Sequence, residues 1–194
     1  ALLAAEDADF YQHHGISFKG IIRAVLADLR LLSPSQGAST ISQQLVRSSY
    51  LGREKTGVRK IREVILTLEL ERRYSKDQIL EFYLNQIPFG QNAYGVEEAS
   101  KSYFQKSAQD LSLAEAATLV SLIKAPSHLS PYGPYKDELI VRKAYVLRRM
   151  VGLRFITSEE ERTARDEILK FAKINQAIKA PHFVIAVQDV LVQK

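Results

Sequence analysis

An acidic segment with two histidines stands near the start of the chain, directly after five apolar residues. Glu6 and Asp7 come first, and His13, His14 and Gly15 follow within ten positions. An apolar environment disfavours the charged form of a carboxyl group, so that the group can accept or donate a proton near neutral pH. The segment therefore indicates acid or base chemistry. The alternative is an ordinary acidic helix end, in which the carboxylates are solvated and His14 only packs.

A second polar segment combines a glycine with hydroxyl and amide side chains. Gly37 is followed by Ser39 and Thr40, and then by Gln43 and Gln44. A glycine and hydroxyls at a helix start leave free backbone N–H groups, which favour binding of an anion or a sugar. The alternative is a plain capped helix whose two glutamines face solvent.

A third segment is strongly basic. Between positions 47 and 63 the cations are Arg47, Arg53, Lys55, Arg59, Lys60 and Arg62. Such a group can neutralise a pyrophosphate through charge-assisted hydrogen bonds. The alternative is a solvated basic face, in which Arg59 and Glu63 form a surface pair worth about 0.3–0.5 kcal/mol.

Other classes of site lack support in the sequence. The chain has no cysteine, which excludes disulfides, thiolate metal sites and a thiol nucleophile. The histidines, His13, His14, His128 and His182, lack the spacing of a zinc motif. Nucleotide-binding glycine loops and a serine nucleophile elbow are also missing.

The sequence predicts that the elements positioning these segments are helices. Apolar residues recur with helical period over 20–32 and over 58–70. Four segments have the form of a capping box, in which a hydroxyl and a later side chain satisfy free helix N–H groups. They begin at Thr40, Ser75, Ser112 and Thr157.

Helix ends are also legible. Pro88 and Pro126 are expected to end the helices that begin near Lys76 and Leu113, because proline lacks the N–H and clashes with the preceding turn. Further helices are predicted near 136–151 and 158–178. The sequence predicts a mainly α chain without strands of useful length.

Size and charge are compatible with a domain acting on an anionic partner. The chain has 194 residues, 46% of them apolar, and 27 basic against 22 acidic residues give a net charge of +5. We expect one domain over 1–178, followed over 179–194 by a terminal helix or the start of a linker. No apolar run approaches the roughly 18–20 residues that span a bilayer.

Taken together and in order, these segments resemble the motifs of the peptidoglycan glycosyltransferases, family 51, which are the glycan-polymerising domains of class A penicillin-binding proteins. The matching positions of the first three motifs are Glu6, Asp7, Phe10, His14 and Gly15; then Gly37, Ser39, Thr40, Gln43 and Gln44; then Arg59, Lys60 and Glu63. A fourth motif is matched by Lys76, Ile79, Leu80, Glu81, Tyr83, Leu84 and Asn85, and a fifth by Arg142, Lys143, Val146 and Leu147.

The resemblance implies a mainly α, lysozyme-like fold with a large helical lobe and a smaller membrane-facing lobe. It implies that lipid II, a disaccharide-pentapeptide on undecaprenyl pyrophosphate, is polymerised with inversion into a β-1,4-linked glycan strand. Glu6 is then the general base and Glu63 the second essential carboxylate, which orients cations or a divalent metal such as Mg or Mn.

The remaining site residues follow from the same resemblance. Residues matching positions that hold or approach the phosphates are Arg47, Lys55, Arg59 and Arg62, and residues supporting substrate placement are Asp7, Ser39, Thr40, Gln43 and Gln44. No metal site is certain. The sequence departs from the family form at Lys143, where arginine is usual, and at Pro88, where an aromatic residue is usual.

The resemblance also implies a cellular location and binding partners. A transmembrane helix precedes the domain in the family and is expected to be missing here. The resemblance leaves open whether a transpeptidase domain follows in a longer chain. We expect the outer or periplasmic face of the cell membrane, with residues 17–32 and 45–57 as the surface that lies on the bilayer. Nucleic acid is not expected as a partner.

Two rival functions stay open. A lysozyme-like glycan hydrolase would share the fold and a catalytic glutamate, but it would not need six cations before the second carboxylate. A basic helical module that binds nucleic acid or a protein would show salt-sensitive binding and would not depend on Glu6.

Overall fold

The computed structural model describes residues 1–20, 39–50 and 56–173. In this part of the chain the helices, numbered in chain order, are α1 (Leu2–Glu6), α2 (Ile41–Tyr50), α3 (Gly57–Arg73), α4 (Lys76–Gln86), α5 (Val96–Phe104), α6 (Leu113–Ile123), α7 (Lys136–Gly152) and α8 (Ser158–Asp166). A 3-10 turn covers Ala108–Asp110. The mainly α prediction is confirmed.

The four predicted capping boxes are all present. Thr40, Ser75, Ser112 and Thr157 each accept a backbone N–H from the residue three positions later, whose side chain accepts from the N–H of the capping residue. Each box satisfies two helix N–H groups that have no partner within the helix. The starts of α2, α4, α6 and α8 are thus set by local sequence.

Both predicted proline stops are also found. α4 ends at Gln86, two residues before Pro88, and α6 ends at Ile123, before Pro126. Pro88 begins a small antiparallel hairpin of β1 (Pro88–Gly90) and β2 (Ala93–Tyr94). Its turn residues, Gln91 and Asn92, both have positive φ, as in the tight turns that join twisted strands.

The core is built around α6, which is buried along most of its length. Ala117, Leu119 and Leu122 are fully enclosed, and α6 packs against α7, α5 and α1. The buried hydroxyls of Thr118 and Ser121 donate to backbone carbonyls one turn earlier, so that no unpaired hydroxyl results. The same core includes residues of α2 and α4, and it therefore joins the helices that carry the polar motifs.

The prediction of a helix over 158–178 is wrong over 167–173, and its last residues, 174–178, lie outside the described part of the chain. Glu167 is extended, and the chain then runs back across α5. The Ala172 N–H donates to the Tyr103 carbonyl at 2.8 Å, and the Ala172 carbonyl accepts from the Tyr132 hydroxyl at 2.7 Å. Phe171 packs on Phe104 with ring centroids 5.4 Å apart. These tertiary contacts override local helix propensity.

The apolar stripe of α3 faces outward. Val58, Ile61 and Ile65 are each about 60% exposed, and Leu68 is nearly half exposed, whereas the polar Glu63 and Thr67 are buried. α3 packs with its polar side on α2. Gly15 approaches Thr67 of α3 so closely that a β-carbon on Gly15 would lie 2.8 Å from the Thr67 methyl group.

Some predictions fall outside the described residues. These are most of the helix over 20–32, Gly37 of the second motif, Arg53 and Lys55 of the basic segment, and the segment 179–194. The domain limits and the smaller membrane-facing lobe stay predictions. Within the described ranges, no helix is both long and apolar enough to cross a bilayer.

Candidate active site

A cleft of about 420 Å³ opens beside the C-terminal end of α1, where Glu6 lies. α1 is short and mostly apolar: Leu2 and Ala4 are buried against the core, which leaves Glu6 at the rim. The cleft is lined by acidic residues of the first motif, hydroxyl and amide residues of the second, and basic residues from α2, α7 and the end of α6.

The Glu6 carboxylate is held from two sides. Its Oε2 accepts a hydrogen bond from Gln44 Nε2 at 3.1 Å, and its Oε1 lies 3.5 Å from an Nη of Arg142. The Arg142 guanidinium stands over the Tyr145 ring, 4.6 Å from its centroid. Both Glu6 and Arg142 are largely but not wholly buried, so that a ligand in the cleft can reach them.

Basic side chains dominate the remaining lining. Those that line the cleft in the described part of the chain are Arg47, Lys124, Arg142 and Arg149. The Arg149 Nε donates to the Ala4 carbonyl at 3.2 Å and thereby also fastens α1 to α7. A charge that develops on a leaving group in this cleft would meet fixed cations.

Asp7 lines the cleft but is also committed to the fold. Its Oδ2 accepts the Ile41 N–H at 3.0 Å at the start of α2, and its Oδ1 lies 3.0 Å from His13 Nε2. Thr40 is similarly engaged, because its hydroxyl donates to the Gly15 carbonyl at 2.6 Å. These contacts tie the first motif to the second.

The structure brings most of the second motif to this place. Ser39, Thr40 and Gln44 line the cleft together with Glu6 and Asp7, and Arg47 lies at its exposed side. Gln43 is buried and closes the capping box of α2. The alternative that both glutamines face solvent is wrong.

The third motif lies apart from the cleft lining. Glu63 is 1% exposed, one of its oxygens pairs with Lys60, and the other is buried without a hydrogen-bond partner among the described residues. Arg59 is half-buried and Arg62 is exposed on α3. The surface pair considered between Arg59 and Glu63 is not the one formed, since the partner of Glu63 is Lys60.

Metal ligands are sparse around Glu63. Across residues 1–20, 39–50 and 56–173, no group of three or more acidic, histidine or cysteine side chains could hold an ion. Glu63 by itself offers one free carboxylate oxygen. A divalent cation there would need most of its oxygen ligands from a bound phosphate or water.

Sequence reasoning missed several residues that surround Glu6. Arg142 belongs to the fifth motif but is not among the predicted site residues, and neither are Tyr145, Lys124 and Arg149. The fifth motif was the available signal for Arg142. The neighbouring Lys143 instead points away from the cleft and donates to the Ala164 and Arg165 carbonyls at 3.3 and 3.0 Å.

Comparison with known proteins gives consistent matches over this part of the chain. A family model described as Transglycosylase matches residues 1–151. The chain is 42% identical over 186 residues to penicillin-binding protein 2D of Bacillus subtilis (strain 168), covering 94% of this chain and 27% of that protein. It is 42% identical over 187 residues to penicillin-binding protein 1A of Neisseria lactamica, covering 96% and 23%.

A solved structure agrees with this. The crystal structure of penicillin-binding protein 1A from Haemophilus influenzae aligns with a TM-score of 0.51 and 28% identity, covering 79% of this chain and 19% of that one. The chain thus spans about a quarter of the length of the curated relatives it matches.

Proposed function

Because the chain belongs to the transglycosylase family, as the glycosyltransferase domain of class A penicillin-binding proteins, we propose that it polymerises lipid II into β-1,4-linked glycan strands. The observation that carries the proposal is the placement of Glu6. Its carboxylate lies in a cleft that four basic side chains of the described residues line, and it is oriented by Gln44 and Arg142.

Glu6 acts as the general base in this proposal. An acceptor sugar hydroxyl gives its proton to the Glu6 carboxylate while the hydroxyl oxygen forms a bond to the anomeric carbon of the donor. The bond from that carbon to the pyrophosphate oxygen breaks, and its electron pair leaves with undecaprenyl pyrophosphate. One such displacement inverts the anomeric configuration.

The cations stabilise the leaving group. Arg47 lies at the exposed side of the cleft, where the lipid pyrophosphate can enter, and Arg142 and Arg149 lie deeper. Preorganised cations that face a developing negative charge lower the barrier without having to reorganise during the reaction. A hydrolase that releases a neutral sugar would gain little from them.

The assignments on α3 stay part of the proposal. Lys55, Arg59 and Arg62 would hold or approach the pyrophosphate, and Glu63 would orient these cations or a divalent metal. For Glu63 to meet the substrate, its contact with Lys60 must open, since that contact and burial close it off in this structure. A divalent cation would bind through one carboxylate oxygen and the substrate phosphates.

The outer face of α3 is proposed as a further bilayer contact beside residues 17–32 and 45–57, of which 21–32 and 51–55 lie outside the described part of the chain. In the range 45–57, Leu45 and Val46 are buried in the core. On α3 the stripe of Val58, Ile61, Ile65 and Leu68 is exposed, and the same helix carries the basic residues Arg59, Lys60, Arg62, Arg72 and Arg73. An exposed apolar stripe on a helix with these cations suits the surface of an anionic membrane. The domain would then lie on the outer or periplasmic face of the cell membrane, next to its lipid-linked substrate.

The decisive experiment incubates the protein with lipid II and separates the products by length. Long glycan strands support polymerisation, and short soluble sugars would support hydrolysis. Glu6→Gln removes the base with little change in shape, and we expect it to lower the rate by about 100-fold or more. Glu98→Gln, an exposed acid on α5 outside the motifs and the cleft lining, is the matched control and should retain activity. Normal polymerisation by Glu6→Gln would refute the assignment of the base.

Two further measurements test the remaining parts. Repeating the assay with a chelator tests the divalent cation: an unchanged rate would remove the ion from the proposal. Sedimentation with anionic vesicles tests the membrane face: Ile61→Ser with Ile65→Ser should weaken binding, whereas Ile140→Ser with Val141→Ser, equally exposed on α7, should not. Equal losses in the two double variants would contradict the role of α3.

A further inference from the structure

Tyr83 on α4 lies at the end of a hydrogen-bonded chain that leads to Glu6. Its hydroxyl donates to Gln44 Oε1 at 2.9 Å, and Gln44 Nε2 donates to Glu6 Oε2 at 3.1 Å. We infer that Tyr83 is a positioning residue for the base, acting through the side-chain amide of Gln44. The inference rests on the proposed role of Glu6.

The direction of this chain follows from the chemistry of its groups. An ionised carboxylate only accepts hydrogen bonds, so that Gln44 must turn its NH₂ group to Glu6. The amide oxygen then faces Tyr83, and the phenol must donate to it. Burial, and next the negative charge of Glu6, raise the pKa of Tyr83, which keeps the hydroxyl protonated and able to donate.

Without the phenol, the Gln44 oxygen loses its donor, and among the described residues only the contact with Glu6 then holds the amide. The amide can then tilt or rotate away from the geometry in which its NH₂ group meets Glu6 Oε2. Tyr83 is 1% exposed and its ring belongs to the core, so the hydroxyl is held in a fixed place. A rigid donor at the far end of an amide is the type of contact that fixes a catalytic side chain.

The two oxygens of Glu6 are thereby made unequal. Oε2 accepts a hydrogen bond from Gln44, whereas the contact that the described residues give Oε1 is that of Arg142 at 3.5 Å, which is longer than a normal hydrogen bond. We therefore assign proton transfer to Oε1. Gln44 leaves this oxygen open, and the longer Arg142 contact leaves room for an acceptor hydroxyl in the cleft to donate to it.

The test compares two tyrosine variants. Tyr83→Phe removes the hydroxyl and keeps the ring. Tyr103→Phe is the matched control, because Tyr103 is also fully buried and donates to a backbone carbonyl, that of Phe89, at 2.9 Å. We expect Tyr83→Phe to lower kcat for lipid II about 10- to 100-fold with KM changed less than about twofold. Tyr103→Phe should keep both constants, although thermal stability falls in both variants.

A double-mutant cycle separates positioning from structure. If Tyr83 acts only through Gln44, Tyr83→Phe has no further effect on kcat in the Gln44→Ala background. Additive losses, or equal losses in Tyr83→Phe and Tyr103→Phe, would overturn the inference. Full activity of Tyr83→Phe would also overturn it while leaving the proposed function intact.

A measurement that does not depend on turnover separates the role of Tyr83 from the proposed function. In NMR spectra, the side-chain NH₂ signals of Gln44 are assigned by their loss in Gln44→Ala. These signals should shift on Glu6→Gln and on Tyr83→Phe but not on Tyr103→Phe. If the unaltered protein fails to polymerise lipid II and these shifts occur, the proposed function fails and the hydrogen-bonded chain stands. If Tyr83→Phe leaves the Gln44 signals unchanged, the hydrogen-bonded connection from Tyr83 through Gln44 to Glu6 is refuted.

Discussion

Lys143 is a buried lysine whose replacement should destabilise the fold without touching the cleft. It is 5% exposed, and its ammonium group donates to the carbonyls of Ala164 and Arg165. These carbonyls belong to the last turn of α8, where the helix offers them no N–H partner. A cation at this end also interacts favourably with the helix dipole. Lys143 therefore holds the end of α8 against α7.

The expected cost of Lys143→Met follows from these contacts. Hydrogen bonds to a charged group contribute about 1.5–3 kcal/mol each, but the burial of the ammonium group offsets part of that gain. Water can also reach part of the helix end after the substitution. We expect a net loss of about 1–3 kcal/mol in the free energy of unfolding. For a chain of this size that lowers Tm by about 2–10 °C.

The pH dependence of the same variant has a defined sign. Burial lowers the pKa of Lys143 below its ordinary 10.5. Between the folded pKa and 10.5 the unfolded chain binds more protons than the folded one, so the stability of the protein rises with pH in that window. The stability difference between the unaltered protein and Lys143→Met should therefore grow as the pH rises toward 10.5.

Thermal and denaturant unfolding at several pH values measure both effects. Lys136→Met, an exposed lysine at the start of α7, is the control and should stay within about 0.5 kcal/mol. Lys143→Arg restores the usual family residue and should recover part of the loss. Equal stabilities of Lys143→Met and Lys136→Met would refute the capping role, and a difference that shrinks toward alkaline pH would refute the burial argument.

Three further outcomes are expected from stability measurements. Gly95→Ala should cost about 1–3 kcal/mol, because φ is +82° and a β-carbon would lie 2.7 Å from the Asn85 carbonyl oxygen, whereas Gly57→Ala, with open space around it, should be neutral. Hydrogen bonds from the Thr157 N–H and hydroxyl lower the pKa of Glu160 from 4.5. The stabilisation by Glu160 is therefore present above pH 4.5 and is lost as the pH falls through the folded pKa. In an acid titration, the stability of Glu160→Gln should converge with that of the unaltered protein. Glu63→Gln should abolish polymerisation of lipid II but change the free energy of unfolding by less than about 1 kcal/mol. A large loss of stability would instead make Glu63 a structural residue.

Local sequence was sufficient wherever one short segment satisfied its own backbone. The capping boxes at Thr40, Ser75, Ser112 and Thr157 and the stops before Pro88 and Pro126 depend only on neighbouring residues, and all were predicted. The end of α8 was not, because it depends on Phe171 and Ala172 binding to α5, far away in sequence. Hydrophobic periodicity identifies the apolar side of a helix but does not show whether that side faces the core or the solvent. The sequence therefore predicts the apolar stripe of α3 but not its exposure.

The candidate site shows the same division between residue identity and contact. The motifs supplied Glu6, Asp7 and the residues of α2, but the contacts of Arg142 with Glu6 and of Tyr83 with Gln44 join helices far apart in the chain. Motif order carries no distances, so it could not distinguish a residue that lines the cleft from one that faces elsewhere. The separation of Arg59 and Arg62 from the cleft lining was invisible for this reason.

Asp7 explains why the first two motifs must be adjacent in space for Glu6 to work. It was predicted as a substrate-binding residue, yet its Oδ2 accepts the Ile41 N–H at the start of α2. Gln44 lies three residues after Ile41, on the same side of that helix, and Glu6 is the covalent neighbour of Asp7. One carboxylate thus fixes the start of α2 relative to the end of α1. The distance from Gln44 to Glu6 is a consequence of that contact, so Asp7 orients the base even where it meets no substrate.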